Sequence, residues 1–480
     1  MATRHEGIRR VVLGAAAALL SAVALWHATG LFPAWWLTWL APWPVLAFAL
    51  RATAPAAAAA AFAAWAGGGL NLWHYYRTTL GVPLPIALAA IALPAAIFAA
   101  GVSLARLLAR GGRPLLASLA LPVWWTTFEL AMARLSPHGT FGSLAYSQLD
   151  FLPIVQLAAL CGSAGVSFLL LLPASALAVA TLPAAAAARV RIVLTAAGLV
   201  AAALVFGLAR LRGAEGSLTS LRVGLVAADA PDQPLPVSTT RGQELVAGYA
   251  AATEALLAAG VDVVVLPETI VRARDSEAEA LLARLAGAQA ERAATVVVGI
   301  DLQEQDGERN VALALEPGAT TPFRYAKRHL LPPFEARYRP GTGLVLVPVR
   351  SVPAGLAICK DLDFPPLGRE YARRGAGLLL VPAWDFGVDG WLHSRMAALR
   401  GVEGGFAVAR SARGGRLTVS DDRGRLVAES TSDSAPVASL RASVRVGSPG
   451  TPYARLGDWL GWLACGLVAF AIREAARLRP

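Results

Sequence analysis

Eight apolar stretches of about 20 residues are the feature that most limits how this chain can fold. They run roughly over residues 11–29, 33–50, 54–73, 84–107, 114–132, 164–186, 191–209 and 457–473. A soluble domain of average composition is about a quarter charged, whereas this chain is 16% charged and 56% hydrophobic. Between residues 11 and 210 the only acidic residues are Glu129 and Asp150. We therefore predict a membrane α-helical bundle of eight spans.

Residues 216–450 have a different character, because they hold most of the acidic residues and alternate short apolar runs with polar turns. The runs that predict strands are Arg222–Ala227, Val261–Leu266, Thr295–Ile300, Val311–Leu315, Leu344–Val349, Gly355–Ile358, Gly377–Pro382, Phe406–Arg410 and Leu417–Ser420. Helical patterns lie between some of them, at 241–259, 276–291 and 392–403. This alternation predicts an α/β domain with a largely buried sheet.

The two patterns divide the chain into three parts. We predict a transmembrane domain with seven spans over residues 1–215, an α/β domain over 216–450, and an eighth span with a tail over 451–480. The first apolar stretch follows two arginines as a signal peptide does, but six more stretches come after it without a soluble domain between them. We therefore interpret it as a retained span.

The arginines predict the orientation of the spans, because loops rich in positive charge stay in the cytoplasm. With eight spans, one side of the membrane receives Arg4, Arg9, Arg10, Arg51, Arg106, Arg110, Arg113, Arg189, Arg191, Arg473, Arg477 and Arg479. Both termini are then cytoplasmic, and residues 216–450 lie on the extracytoplasmic side. The net charge of +11 is thus an orientation signal. Because no basic helix or interleaved aromatic patch accompanies it, we predict no nucleic-acid partner.

Three cysteines occur, and only Cys359 lies within residues 216–450, so that domain cannot form an internal disulfide. The six histidines show no HExxH spacing and the chain has no CxxC motif. We therefore predict no metal site. Cys359 ends a short apolar run and precedes Lys360, a cation that favours the thiolate. This context favours a nucleophile over a buried structural cysteine.

Lys327 is conspicuous because this chain uses arginine almost wherever it needs a cation. Of the 43 lysine and arginine residues, only Lys327 and Lys360 are lysines. A compact ammonium can donate to a single developing oxyanion, which a broad planar guanidinium does less well. Taken alone, Lys327 is equally well read as an oxyanion partner or as a surface cation. Glu268, which follows an apolar run ending in proline, is either a general base or a surface acid.

Together, Glu268, Lys327 and Cys359 resemble the catalytic triad of the carbon-nitrogen hydrolase, or nitrilase, superfamily. The resemblance implies an αββα sandwich in which the glutamate takes the thiol proton and the lysine stabilises the tetrahedral oxyanion. In that superfamily a second glutamate, eight positions after the lysine, supports the acid–base chemistry. Glu335 occupies that position in this sequence.

With the eight spans added, the chain is similar to the apolipoprotein N-acyltransferase family, in which seven spans precede the nitrilase domain and one follows it. Further likenesses lie at residues 125–129, 139–148 and 451–459. The resemblance implies a monomeric enzyme of the bacterial inner membrane, with its catalytic domain on the periplasmic side. It implies acyl transfer from a phospholipid, through a thioester on Cys359, to the N-terminal amine of a diacylglyceryl-cysteine lipoprotein. No cofactor is implied, because such chemistry needs only nucleophile, base and oxyanion partner.

The sequence also departs from that family near the nucleophile. Lys360 and Asp361 stand where the family usually has Tyr-Glu, and Pro382–Gly387 replaces a usual Asn-Asp-Ala-Trp-Phe-Gly. We predict that Lys360, Asp361, Trp384 and Phe386 contact substrate. These departures leave two alternatives open: a membrane-tethered amidase, or an N-acyltransferase with a different amine acceptor. A third alternative, a transporter or scaffold with a degenerate nitrilase domain, is disfavoured by the scarcity of charge in the spans.

Overall fold

In the computed structural model, the chain is described over residues 2–213, 219–229, 233–286, 294–447 and 450–478. It divides into two compact units. The helical unit comprises Met1–Arg134, Gly142–Leu211 and Asp458–Pro480, and the α/β unit comprises Leu135–Phe141 and Arg212–Gly457. The α/β unit therefore includes a short segment that lies far upstream in the sequence, between the fifth and sixth predicted spans.

Long apolar helices form most of the helical unit. Its helices are α1 (Ala2–Ala28), α2 (Trp43–Ala49), α3 (Ala54–Gly69), α4 (Leu84–Arg110), α5 (Pro114–Leu135), α6 (Leu152–Val155), α7 (Ala158–Ala180), α8 (Arg189–Arg212) and a C-terminal helix, Trp459–Arg477. Within the described ranges, six helices are long and apolar enough to cross a membrane. They correspond to six of the eight predicted spans, namely all except 33–50 and 54–73.

The other two predicted spans are shorter helices in the structure. In the segment 33–50 only α2 is α-helical, with 7 residues, and Pro42 lies at its N-cap with a second proline in its first turn. Proline lacks an N–H and favours the first turn of a helix, which agrees with the start of α2 directly after Pro42. Helix α3 has 16 residues, or about 24 Å at 1.5 Å per residue. It continues as short 3₁₀ and π turns, Leu70–Leu72 and Tyr75–Thr79. Eight spans are therefore not confirmed.

The α/β unit is built on two sheets. Its strands are β1 (Thr219–Ala227), β2 (Val263–Val265), β3 (Arg272–Arg274), β4 (Thr295–Glu304), β5 (Gly307–Leu315), β6 (Phe323–Ala326), β7 (Leu346–Val349), β8 (Val352–Leu356), β9 (Leu378–Trp384), β10 (Ala407–Arg413), β11 (Arg416–Ser420), β12 (Leu426–Thr431) and β13 (Ala438–Val446). One sheet has the order β13-β1-β2-β4-β5-β6, with β3 beside β4, and the other has the order β12-β11-β10-β9-β8-β7. Strands β3, β6, β12 and β13 were not predicted.

Each sheet packs its inner face on the other sheet and its outer face on helices. The unit's helices are α9 (Thr240–Ala258), α10 (Asp275–Ala286), α11 (Pro365–Arg373), α12 (Gly390–Gly404) and α13 (Pro452–Leu456). Inner-face residues such as Val223 and Leu356 share one buried cluster. Helices α9 and α10 cover the first sheet, and α11 and α12 cover the second. The αββα sandwich that the resemblance implied is confirmed.

The sandwich brings several strand ends to one place. Strands β1, β2 and β4 are mutually parallel, as are β8, β9 and β10. The carboxyl ends of parallel strands meet at one edge of a sheet, where α/β folds place their ligand sites. Glu268 follows β2, Cys359 follows β8, and Trp384 ends β9.

Candidate active site

Glu268 is buried where the chain leaves β2. Its Oε1 accepts hydrogen bonds from Lys327 Nζ at 2.7 Å and from Asn310 Nδ2 at 2.6 Å. The neighbouring strand β4 carries Gly299 at this point, and a Cβ there would lie 2.5 Å from the Glu268 Cα atom. The next residue, Thr269, has a positive φ of 44°. The close approach and the unusual backbone together fix the carboxylate in the interior.

Lys327 lies one residue after β6, and its side chain is 3% exposed. Its Nζ is 2.7 Å from Glu268 Oε1 and 2.8 Å from Glu335 Oε2. An ammonium has three N–H donors, and these two carboxylates are its only ion-pair partners in the described part of the chain. The structure therefore brings Glu268, Lys327 and Glu335 into one buried cluster.

Asn310 completes this cluster and was not recognised in the sequence. It lies on β5, and its Nδ2 donates to Glu268 Oε1 at 2.6 Å and to Glu335 Oε1 at 2.7 Å. Glu335 also accepts a 2.7 Å bond from the Leu331 backbone N–H. The only available signal was a polar residue directly before the predicted strand Val311–Leu315. Polar residues with no role in a site are also common at that position, so the signal does not identify Asn310.

Cys359 is the first residue of a 3₁₀ turn, Cys359–Asp363, that follows β8. Its φ of +43° lies in the left-handed region, which a non-glycine residue adopts only when its surroundings enforce it. The Sγ atom is partly buried and lies 3.4 Å from the backbone oxygen of Trp384. The side chain is close enough to Glu268 and Lys327 for each charge to shift the pKa of the thiol.

The protonation states follow from burial and from these neighbours. Burial, reinforced by the Glu268 carboxylate, raises the pKa of the Cys359 thiol well above its usual value, although Lys327 opposes the shift. Burial and the adjacent Glu335 carboxylate also raise the pKa of Glu268. For Lys327, burial acts to lower the pKa, but the Glu268 and Glu335 carboxylates outweigh it and raise the pKa well above normal. The resting site therefore holds an ammonium beside a neutral thiol.

Asp361, a predicted substrate contact, lies in the turn that begins at Cys359. It is fully buried, and its Oδ1 accepts bonds from the backbone N–H groups of Arg328 and His329, at 3.1 and 2.9 Å. Its Oδ2 accepts bonds from the Tyr325 hydroxyl at 2.7 Å and the Ile358 N–H at 3.0 Å. These bonds tie the turn of Cys359 to the segment that carries Lys327.

Lys360, Trp384 and Phe386 surround the same turn. Lys360 is buried, with its Nζ 3.3 Å from Asp363 Oδ2. Trp384 is half-buried beneath the Arg413 guanidinium, which lies 3.6 Å above the indole ring. The half-buried Phe386 ring packs 5.2 Å from Phe334, whose side chain is 47% exposed. The aromatic pair lies on the segments that carry Glu335 and Trp384.

Three possible metal ligands follow Trp384 in the sequence. Single ligand atoms of Asp385, Asp389 and His393 all lie within 4.8 Å of one another. Both oxygens of Asp385, however, pair with the buried Arg410 guanidinium. Asp389 accepts a 2.8 Å bond from the Phe386 N–H and lies 3.3 Å from His393 Nε2. The carboxylates are thus engaged with protein donors, and the cluster serves the loop's conformation.

Two protein families match successive parts of the chain. Residues 21–177 match the Apolipoprotein N-acyltransferase N-terminal domain, and residues 225–439 match the Carbon-nitrogen hydrolase family. The fold, the buried cluster and these matches define a protein of the carbon-nitrogen hydrolase superfamily that also has, in its described part, six helices long and apolar enough to cross a membrane.

Whole-chain similarities are more specific. The apolipoprotein N-acyltransferase of Geobacter metallireducens is 28% identical over 380 residues, which cover 72% of each chain. That of Shewanella oneidensis is 25% identical over 453 residues, or 85% of each chain. This chain belongs to the apolipoprotein N-acyltransferase family.

Proposed function

We propose that this chain transfers a fatty acyl group from a membrane phospholipid to the N-terminal amine of a diacylglyceryl-cysteine lipoprotein, through a thioester on Cys359. The observation that carries the proposal is the buried cluster of Glu268, Lys327 and Glu335 beside the thiol. A nucleophile, a base and a cation near one another are the groups that acyl transfer requires.

In the first half-reaction, Cys359 attacks the ester carbonyl of the phospholipid. Since the thiol is neutral at rest, its proton must pass to Glu268 as the carbon–sulfur bond forms. The tetrahedral oxyanion then accepts a hydrogen bond from Lys327, whose third N–H is not used by Glu268 or Glu335. When the carbon–oxygen bond breaks, protonated Glu268 returns the proton to the leaving alkoxide. The lysophospholipid departs, and the acyl chain remains on sulfur.

The turn of Cys359 supplies a second means of holding the oxyanion. The N–H groups in the first turn of a helix have no partner within the helix and point out of its N-terminal end. Because Cys359 occupies that end, the backbone N–H of Lys360 is placed to donate to the oxyanion beside the sulfur. The left-handed φ of Cys359 is the backbone feature that we expect to aim this N–H.

In the second half-reaction, the acceptor amine attacks the thioester. Glu268 removes a proton from the attacking nitrogen, and the Cys359 thiolate leaves and takes that proton. Glu335 and Asn310 hold the reacting groups in position. Asn310 bonds to Glu268 and Glu335, and Glu335 pairs with Lys327. In the described contacts neither residue reaches the sulfur. In the resting site burial acts to lower the pKa of Lys327, but Glu268 and Glu335 raise it, so the ammonium is charged when Cys359 attacks.

Both substrates are lipids, which accounts for the membrane helices. We place the chain in the bacterial inner membrane with the α/β unit on the periplasmic side, as the arginine distribution indicates. If 33–50 and 54–73 do not cross, two crossings are lost together, so this orientation is unchanged. The same proposal includes eight crossings of the membrane, a monomeric state and a phospholipid as the acyl donor.

A reconstituted transfer assay tests this function. Purified protein is incubated in liposomes with an alkyne-labelled phospholipid and a synthetic diacylglyceryl-cysteine peptide, and peptide N-acylation is followed by mass. We expect acylated peptide with the wild type and none with Cys359→Ala. Hydrolysis of small amides without peptide acylation would favour the amidase, and acylation of other amines alone would favour a different acceptor.

A further inference from the structure

The segment Leu135–Phe141 belongs to the α/β unit although it lies more than 70 residues before the rest of that unit. Its buried centre packs on the end of the turn that begins at Cys359. The Thr140 backbone N–H and the Thr140 hydroxyl both donate to the Asp363 carbonyl oxygen, at 2.9 and 2.8 Å. One carbonyl at the end of the turn thus receives two bonds from a single distant residue.

Gly139 shows how closely the segment approaches. Its φ is +53°, and a Cβ built on it would lie 2.5 Å from the same Asp363 oxygen. A residue with a side chain at position 139 would strain the left-handed backbone and would also have to displace the turn. The approach is therefore a fixed contact between two backbone segments.

A second contact joins the same two segments near the nucleophile. Lys360 Nζ lies 3.4 Å from His138 Nδ1 and 3.3 Å from Asp363 Oδ2. Since the Lys360 side chain is buried and the His138 side chain is exposed, the contact lies at the rim of the turn. Residues on both sides of Gly139 therefore contact this turn.

The turn needs such support. A 3₁₀ turn of five residues has poor internal hydrogen-bond geometry, and Cys359 at its start holds a left-handed φ of 43°. Asp361 fixes the turn from the Lys327 side, as described above. Asp363, at the far end, is fixed by Thr140.

We propose that residues 138–140, called the brace, are positioning residues for acyl transfer: they hold the turn so that the Cys359 sulfur and the Lys360 N–H face the same carbonyl. The proposal rests on the proposed role of Cys359 as nucleophile. The brace bonds to Asp363 and Lys360 in the turn, so its loss should slow the chemical step without weakening substrate binding.

The matched pair Thr140→Val and Thr140→Ser tests the brace in the full-length protein. Valine keeps the shape but removes the hydroxyl bond to Asp363, whereas serine keeps that bond. We expect Thr140→Val to lower kcat about three- to tenfold, as for one lost hydrogen bond, with KM unchanged, and Thr140→Ser to restore it. Gly139→Ala should lower kcat further. His138→Asn, which retains an acceptor facing Lys360, should lose less than His138→Ala.

The measurement is phospholipid-to-peptide transfer in liposomes, with Cys359→Ala in parallel. Wild-type kcat in Thr140→Val, an equal loss in Thr140→Ser, or a change confined to KM would each overturn the brace. Those results beside an inactive Cys359→Ala leave the proposed function standing, whereas an active Cys359→Ala overturns the function itself. If Gly139→Ala does not reach the membrane, the Thr140 pair alone decides.

Discussion

Replacing Lys327 with arginine separates the position of a charge from its presence. The ammonium sits between two carboxylates at 2.7 and 2.8 Å in a site where its side chain is 3% exposed. Two of its three N–H groups point to Glu268 and Glu335, which leaves one for the oxyanion. A guanidinium keeps the charge but spreads its donors over a plane, so it cannot satisfy both carboxylates and also place a single donor beside the sulfur.

The expected loss is that of one oxyanion donor. Removal of such a donor typically lowers kcat about 10²- to 10³-fold, or about 2.7–4 kcal/mol of transition-state stabilisation. We therefore expect Lys327→Arg to acylate Cys359 at least a hundredfold more slowly in a single-turnover assay with fluorescent phospholipid. Thermal unfolding in detergent is the control, because an unchanged midpoint shows that packing survives the substitution. A folded variant with near-normal acylation would refute the assigned role of Lys327.

Three further predictions concern the base. Asn310→Ala removes two bonds from the buried carboxylates and should lower kcat about tenfold or more. Asn310→Asp adds a third carboxylate and should lower kcat further. Steady-state transfer at the wild-type rate in either variant would contradict this. Because the base must be ionised and the pKa of Glu268 is raised, kcat/KM should fall on acidification at a pH above the ordinary glutamate range, and a pH profile that is flat down to that range would exclude Glu268 as the base. Gly299→Ala would place a Cβ 2.5 Å from the Glu268 Cα, whereas Gly343 has no atom within 4 Å of its Cβ position; transfer should therefore fail in the first alanine variant only, and equal activity would show that Glu268 tolerates displacement.

The positions of the candidate catalytic residues at strand ends were predictable from the sequence. Glu268, Lys327 and Cys359 each lie near a strand end in the structure. In the structure, Lys327 lies between Glu268 and Glu335, the two glutamates predicted as site residues. The apolar runs also predicted most strands, since a sheet buried on both faces leaves a continuous hydrophobic signal.

Other features depended on contacts between distant segments. Asn310 bonds to residues 42 and 25 positions away, and no local pattern records such pairs. Thr140 meets Asp363 across 223 positions. Asp361 follows the nucleophile directly and so resembled a substrate contact, but only the fold shows that its carboxylate is used by backbone donors.

The count of spans exceeded the six long helices for a physical reason. Hydropathy reports composition, but crossing a bilayer also needs a continuous helix. The segment 33–50 is apolar throughout, yet within it only Trp43–Ala49 is α-helical. The segment 54–73 has 16 residues in α3 and then passes into 3₁₀ and π turns, Leu70–Leu72 and Tyr75–Thr79.

In the proposed mechanism, Cys359 carries the acyl group between donor and acceptor. Wild-type protein incubated with phospholipid of one acyl composition, without acceptor, should gain the mass of one fatty acyl group, and neutral hydroxylamine should remove it. Cys359→Ala and Glu268→Gln should remain unmodified, because one lacks the nucleophile and the other the base. Intact-mass spectrometry detects the adduct, and peptide mapping shows whether it lies on Cys359. A wild-type chain that transfers acyl groups to the lipopeptide but never shows an adduct on Cys359, even without acceptor, would rule out Cys359 as the acyl carrier.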